Sequence, residues 1–201
     1  MAKLLYQGHG SYRITSNEGT VIYVDPFAGS GYDVPGDIIL VTHQHYDHNQ
    51  TDLVTKTQDG VIITNKEALK NNKYNSFSLK DIHIEAVPAY NIKHSPKESV
   101  GYVLTLGDIK IYASGDTSRT KEMETVLPKY KLDYALLPID GIFNMDAKEA
   151  AVCAKIIGAK HNIPIHMKPG ALFDRDIAEK FDVENRIIIE PGSEIELQHH
   201  L

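Results

Sequence analysis

Residues 42–48 read Thr-His-Gln-His-Tyr-Asp-His, which packs His43, His45, Asp47 and His48 into one short run. Imidazole nitrogens and carboxylate oxygens are the ligand types that hold zinc and neighbouring divalent metals. The run follows Asp37-Ile38-Ile39-Leu40-Val41, with Pro35-Gly36 ahead of it, and this apolar stretch predicts a buried strand. Side chains alternate along an extended backbone, so His43 and His45 can face one point. Once the chain turns off the strand, Asp47 and His48 can reach a second point nearby. This spacing at a strand end suits two adjacent metal ions better than it suits a polar loop of surface histidines.

The elements that must position this run are legible on both sides of it. Leu4–Tyr6, Ser11–Thr15 and Thr20–Val24 read as short strands separated by Gly8-His9-Gly10 and by the turn Ser16–Gly19. A glycine-rich loop, residues 27–36, leads into the strand before the histidines. Beyond them the sequence predicts a short helix over 51–57, a strand over 61–64 and a helical turn over 66–71. A strand over 82–88 comes next, then a hairpin of 100–106 and 109–113 across Gly107-Asp108. Helix over 120–130 and a buried strand over 134–137 follow. Asp146-Ala147-Lys148-Glu149 has the form of a capping box. Behind it Ala147, Ala150, Ala151, Ala154 and Ile157 recur at helical spacing. A strand over 163–166, a helix over 174–181 and a last strand over 186–190 complete the reading.

The chain also echoes itself. Val21–Asp25 is matched by Ile109–Ala113 with Asp116 just beyond, and Asp37–Val41 is matched by Asp133–Leu137. Two ββ-then-αβ halves with polar residues at their strand ends predict a duplicated sandwich with a site at the junction. No linker divides the halves, so residues 1–201 read as one domain.

Composition bounds the function. With 201 residues, 42% hydrophobic and 24% charged, the chain has ordinary globular proportions. A chain this long buries roughly 70% of its unfolded surface and needs no disulfide. Cys153 is the one cysteine, which excludes cysteine-rich zinc modules. No apolar run approaches the ~20 residues of a membrane span, and the N-terminus lacks a signal-peptide layout, so the expectation is a soluble cytoplasmic protein. A net charge of −6 argues against a nucleic-acid substrate and for a small molecule. Oligomeric state is not readable.

A metal pair needs more ligands than one run supplies, and further candidates fall just after predicted strands. These are Asp25 in Val24-Asp25-Pro26, His94 in Asn91-Ile92-Lys93-His94, Asp116 in Gly115-Asp116-Thr117, and His166 closing Ile163-Pro164-Ile165-His166. With these residues, with Gly8-His9-Gly10-Ser11 and with Pro88-Ala89-Tyr90-Asn91, nearly the whole chain resembles the metallo-β-lactamase superfamily. It is similar to its compact metal-dependent hydrolases, including relatives of the ascorbate-phosphate lactonase branch. The resemblance implies an α/β fold, a four-layer αββα sandwich of two mixed β-sheets flanked by helices. It implies that His43, His45 and His94 hold one metal, that Asp47, His48 and His166 hold a second, and that Asp116 bridges them. Asp25, and His9 in a similar supporting manner, would orient ligands.

The chain departs from that pattern in two places. Pro96-Lys97-Glu98-Ser99 replaces a glycine-rich segment after the middle histidine, and Asp140 stands where relatives often carry a small residue. Tyr90, Asn91, Phe143 and Lys168 are candidate pocket residues, with Lys168 able to pair with a substrate phosphate or carboxylate. His83 and His161 read as surface or supporting residues, and His199 and His200 as a frayed end. Cys153 reads as an inert core thiol.

The chemistry implied is metal-dependent hydrolysis, with Asp47 and Asp116 as the catalytic carboxylates. A hydroxide shared by two divalent ions would attack an ester, lactone, amide or phosphodiester centre. The ligand set suits zinc, and manganese or iron(II) also fit. Two alternatives remain on the same fold. A redox member would normally bring a flavin domain and a carboxylate at one first-metal position, and a non-catalytic metal scaffold would keep no open coordination position.

Overall fold

Alternate burial on two sides is what these strand sequences specify, and the fold uses both sides. A computed structural model describes residues 1–199. In chain order the strands are β1 (Lys3–Gly8), β2 (Ser11–Thr15), β3 (Val21–Val24), β4 (Gly36–Leu40), β5 (Lys56–Ile63), β6 (Leu69–Lys70), β7 (Lys73–Tyr74), β8 (Ser76–Leu79), β9 (Ile82–Pro88), β10 (Val100–Leu106), β11 (Ile109–Ala113), β12 (Tyr134–Pro138), β13 (His161–Ile165) and β14 (Glu194–Glu196). The helices are α1 (Asn65–Ala68), α2 (Lys121–Thr125), α3 (Ala147–Ile157) and α4 (Arg175–Glu179), with 3-10 turns at Thr51–Leu53 and Leu127–Tyr130.

Two six-stranded mixed sheets result, in the orders β14-β1-β2-β3-β4-β5 and β13-β12-β11-β10-β9-β8. The internal echo is real at the level of pairing. Ile22, Tyr23 and Val24 of β3 run parallel to Ile38, Ile39 and Leu40 of β4, as Ile111, Tyr112 and Ala113 of β11 run parallel to Tyr134, Ala135 and Leu136 of β12. One face of each sheet is buried against the other: Ile22, Val24, Ile38 and Leu40 share a core with Ile111, Ala113, Tyr134 and Leu136. The opposite face of the second sheet, with Tyr112, Ala135 and Leu137, packs on Met123, Ala150, Cys153, Ile157 and Ala178 of the helices. On the first sheet Tyr23 and Ile39 are covered by Tyr32, Val34 and Val54, so a loop and a 3-10 turn serve where the second sheet has full helices. The αββα order holds, with the outer layer over the first sheet reduced to that loop and 3-10 turn.

Helix α3 starts where Asp146 accepts a hydrogen bond from the Glu149 N–H and stops at Gly158, whose φ of 71° admits the left-handed turn. The reciprocal half of the expected capping box is missing, because the Glu149 carboxylate instead accepts from the Arg119 N–H. A full capping box does form at Thr64 and Glu67, ahead of α1. Cys153 is a buried free thiol, as expected, and burial pushes its pKa up to about 11.

Several elements differ from expectation. Residues 51–57 give only a 3-10 turn, after which β5 pairs with β4 as an edge strand whose exposed polar residues hide its strand character. Residues 186–190 carry one isolated bridge, between Arg186 and Asn162, and the last strand is β14, antiparallel to β1. Over 120–130, α2 gives way to a 3-10 turn that has Pro128 in its first positions. His199 is not frayed: its Nδ1 lies 3.2 Å from buried Asp133. His200 lies outside the described residues. Among the described residues no helix is long and apolar enough to cross a membrane.

Candidate metal centre

The site forms where loops leave the C-terminal ends of the parallel strands of both sheets. After β4 the chain turns, leaving His43 and His48 buried, Asp47 half-buried and His45 exposed. The second sheet sends Asp116 from beyond β11 and His166 from just beyond β13, and the loop after β9 sends His94; all are buried. Close backbone approach makes this convergence possible. Gly115 has φ +62°, and a Cβ there would meet the Thr42 side chain at 2.8 Å; a Cβ on Gly10 would meet the His48 ring at 2.9 Å. His9, Asp25 and His166 also hold left-handed backbones, at φ 52°, 46° and 46°. Such strain costs of order 1–3 kcal/mol each and persists where surrounding contacts demand it. Here the His166 N–H donates to the His9 carbonyl at 2.8 Å, and the Tyr6 hydroxyl donates to the same carbonyl at 2.8 Å.

All the ligand candidates meet. His43, His45 and His94 offer nitrogens within 4.8 Å of one another, and so do His48 and His166 with Asp47 and His9. Asp116 lies between the groups: its Oδ2 is 3.2 Å from His94 Nε2, 3.5 Å from His166 Nε2 and 3.9 Å from His43 Nε2, while its Oδ1 is 3.4 Å from His48 Nε2. Asp47 Oδ2 is 3.7 Å from His166 Nε2 and 2.9 Å from His9 Nε2.

The outer nitrogens explain why the inner ones converge. Asp25 Oδ2 sits 2.8 Å from His48 Nδ1 and accepts the Thr42 hydroxyl at 2.7 Å. The Thr42 oxygen is in turn 3.0 Å from His43 Nδ1. One carboxylate therefore steadies a histidine from each group, and its engagement with Thr42 and His48 leaves it an orienting partner. Asn91 Oδ1 is 2.9 Å from His94 Nδ1, and Asp140 Oδ2 is 2.9 Å from His166 Nδ1. A proton held at Nδ1 leaves the Nε2 lone pair facing inward.

The electrostatics divide the rings. Burial, reinforced by His48, pushes His43 down to about 2 and keeps it neutral. Burial also opposes charge on His166, but Asp116, Asp140 and Asp47 outweigh it and raise the ring to about 9. His48 is raised well above its ordinary value by Asp116 and Asp25, against burial. Burial would raise Asp116, yet His48 and His166 hold it well below the usual carboxylate range.

The donor set fits a metal. The Nε2 atoms of His43, His48 and His166 and Asp116 Oδ1 are buried without a hydrogen-bond partner. Unpaired buried polar atoms are costly, and four of them converging on one spot is the arrangement a cation would satisfy. The chain is similar to known proteins over most of its length. The family model described as a beta-lactamase superfamily domain matches residues 3–166. This chain belongs to that superfamily. A "UPF0173 metal-dependent hydrolase" of Thermococcus onnurineus is 30% identical, over 98% of this chain and 100% of the relative. A second, from Pyrococcus furiosus, matches at 30% with the same shares. Among solved structures, the metallo hydrolase Igni18 of Ignicoccus hospitalis shares the fold at a TM-score of 0.76 and 22% identity, covering 98% of this chain and 99% of that one.

The remaining candidates sort by contact. The Asp140 side chain is buried, with Oδ2 2.9 Å from His166 Nδ1 and Oδ1 accepting from the Ile142 and Phe143 N–H groups, which places it to orient the ring rather than to shape the pocket. Nothing local in its sequence marks that role, because the contact spans the chain from 140 to 166. Asn91 has a turn signal, and it is the side chain that seats His94. Tyr90 donates to Glu122 at 3.2 Å, and Lys168 lies 3.5 Å from Asp174. His83 is exposed beside Ser78 and Glu85, and His161 stacks on Tyr134 at 5.3 Å.

Proposed function

We propose that this chain is a binuclear metal-dependent hydrolase that cleaves an ester, lactone, amide or phosphodiester bond of a small molecule. His43, His45 and His94 would hold one divalent ion, Asp47, His48 and His166 the other, with Asp116 shared. When bound, such a pair supplies an acidified water and polarises the oxygen of the electrophile. Zinc suits this imidazole-rich set, and manganese and iron(II) have compatible preferences.

The chain's own groups do the positioning. Asp25 and Thr42 aim His43 and His48, Asn91 aims His94, and Asp140 aims His166. Asp47 has a half-exposed carboxylate with His9 Nε2 2.9 Å behind it. From there it can steer an attacking water toward the electrophile while His9 holds its Oδ2 in place. The observation that carries the reading is the set of buried, unpaired Nε2 atoms facing Asp116 from two groups of ligands.

Histidine at every proposed first-metal position outside the shared Asp116, where a redox member would carry a carboxylate at one of them, favours hydrolysis over oxygen chemistry. Residues 1–201 act as one domain in this reading, since both sheets feed the same core and the same site. A cytoplasmic setting accords with the free buried thiol, and a small substrate with the net charge of −6. The test is a screen of nitrophenyl esters, lactones and bis-nitrophenyl phosphate. Hydrolysis that chelation removes and zinc or manganese restores is expected; metal-loaded protein inert toward all of them would contradict the proposal.

A further inference from the structure

Beside the His43, His45 and His94 group a cleft of about 610 Å³ opens on these histidines. Its other walls carry Lys66, Lys93 and Lys97 against one acidic side chain, Glu98. Three cations to one anion is an excess of two positive charges, in a chain whose net charge is −6. None of the three lysines forms a salt bridge among the described residues, although Lys66 lies near enough to Glu67 to lower its pKa. Lys93 rests with its Nζ 4.9 Å from the centre of the Phe143 ring.

The walls are built to hold still, while Lys66 and Lys97 are exposed and without a salt bridge and Lys93 rests only on a ring face. Gln44, from the histidine run, donates to Asn65 Oδ1 at 2.9 Å, and Asn65 donates to the Glu98 carbonyl at 2.8 Å. This relay staples the histidine run, α1 and the 93–99 loop to one another. Asn91 Oδ1 accepts from the Lys93 and His94 N–H groups, turning His94 inward and leaving Lys93 exposed at the cleft. The Lys97 N–H is fixed on Ser95 Oγ at 3.2 Å. A rigid frame that carries ammonium groups without salt bridges around a partly enclosed space concentrates positive potential there.

We propose that this cleft is a binding site for an oxyanion, a phosphate or carboxylate, carried by the substrate away from the bond that is cut. The substrate class is thus a small organic anion, its charged end on Lys66, Lys93 and Lys97 and its reacting bond at Asp116. A second hollow, which also has Lys93 in its wall, carries Ile92, Ile142 and Phe143 together with Arg119 and Glu149, and these apolar side chains suit the organic part of such a molecule. Lys168, held by Asp174, is not part of this cleft. The word substrate rests on the hydrolase reading; the binding of the anion does not, and it is tested without turnover.

The experiment titrates the full chain with inorganic phosphate and, separately, with succinate, followed by backbone amide chemical shifts. It compares wild type, a variant carrying Lys66→Gln, Lys93→Gln and Lys97→Gln, and a control carrying Lys129→Gln, Lys155→Gln and Lys180→Gln. The control removes the same charge from exposed positions outside the cleft. Expected are shifts at residues 65–66 and 93–97 and an affinity at least about tenfold weaker in the first variant, with the control within twofold of wild type. The stronger of the two anions identifies the phosphate or carboxylate source. Equal affinity in all three proteins, equal loss in both variants, or shifts that avoid these residues would overturn the proposal. If the protein binds as expected yet hydrolyses nothing, the hydrolase reading fails and the anion site stands.

Discussion

The two groups of candidate ligands at the centre of this molecule are both rich in histidine and supported differently. Around His43, His45 and His94 the outer nitrogens meet neutral acceptors, the Thr42 hydroxyl and the Asn91 amide, and His45 is exposed at the cleft. Around Asp47, His48 and His166 the supports are the carboxylates of Asp25 and Asp140, the ligand set includes a carboxylate of its own, and His9 sits behind it. A carboxylate behind an imidazole raises its basicity and fixes its orientation. In the proposed binuclear centre the second group would therefore be the firmer site for a cation, and the first the more labile one, beside the lysine-lined cleft.

The largest effect that would erase this contrast is at the shared carboxylate. Asp116→Asn is expected to lower turnover by about a thousandfold or more and to weaken both metals, read as initial rate and metal content. An unchanged enzyme would remove Asp116 from between the groups. Asp25→Asn comes next, because Asp25 steadies His48 directly and His43 through Thr42. About 10–100-fold weaker metal retention at both positions is expected in a chelator competition. Loss confined to one equivalent would mean that the Thr42 relay carries nothing.

Two substitutions sharpen the contrast instead. Asp140→Asn is expected to weaken one metal equivalent by about 10–100-fold and Asn91→Ala the other by about tenfold or less. If both variants released the same equivalent, the division into two sites would be wrong.

The smallest effect is in pH, in protein stripped of metal by chelation. His166, raised to about 9 from 6.5, contributes stability that is full below 6.5 and lost as pH rises through about 9. His43, pushed down to about 2, has the opposite sign: the unfolded chain takes up its proton first, so its contribution is lost as pH falls below 6.5. The melting temperature should therefore fall between pH 7 and 10, and His166→Asn should flatten that fall. An alkaline limb unchanged by His166→Asn would contradict the assignment.

Most of this centre was legible because its chemistry is local to strand ends. The run from His43 to His48 follows an apolar strand, and Asp25, Asp116 and His166 each follow another. The supports were less visible. Asp140 reaches His166 only through the parallel pairing of β12 with β13, and its sequence context reads as an ordinary turn. The sheet edges are less legible for a different reason, and only the 61–63 part of β5 shows in the sequence. β5 shows an exposed polar face and β14 is a short alternation of glutamates around Ile195, so neither carries the continuous apolar signal that marks β4 or β12. In residues 187–189 an apolar run packs on the cores with no strand ladder.

The most direct measurement is metal content by plasma mass spectrometry while a chelator is titrated into untagged protein purified without added metal. Two equivalents per chain are expected, leaving in separate steps, with His45→Ala removing the early step and sparing the late one. A single equivalent, or two that leave together in wild type and in His45→Ala, would contradict a pair of unequal sites around Asp116.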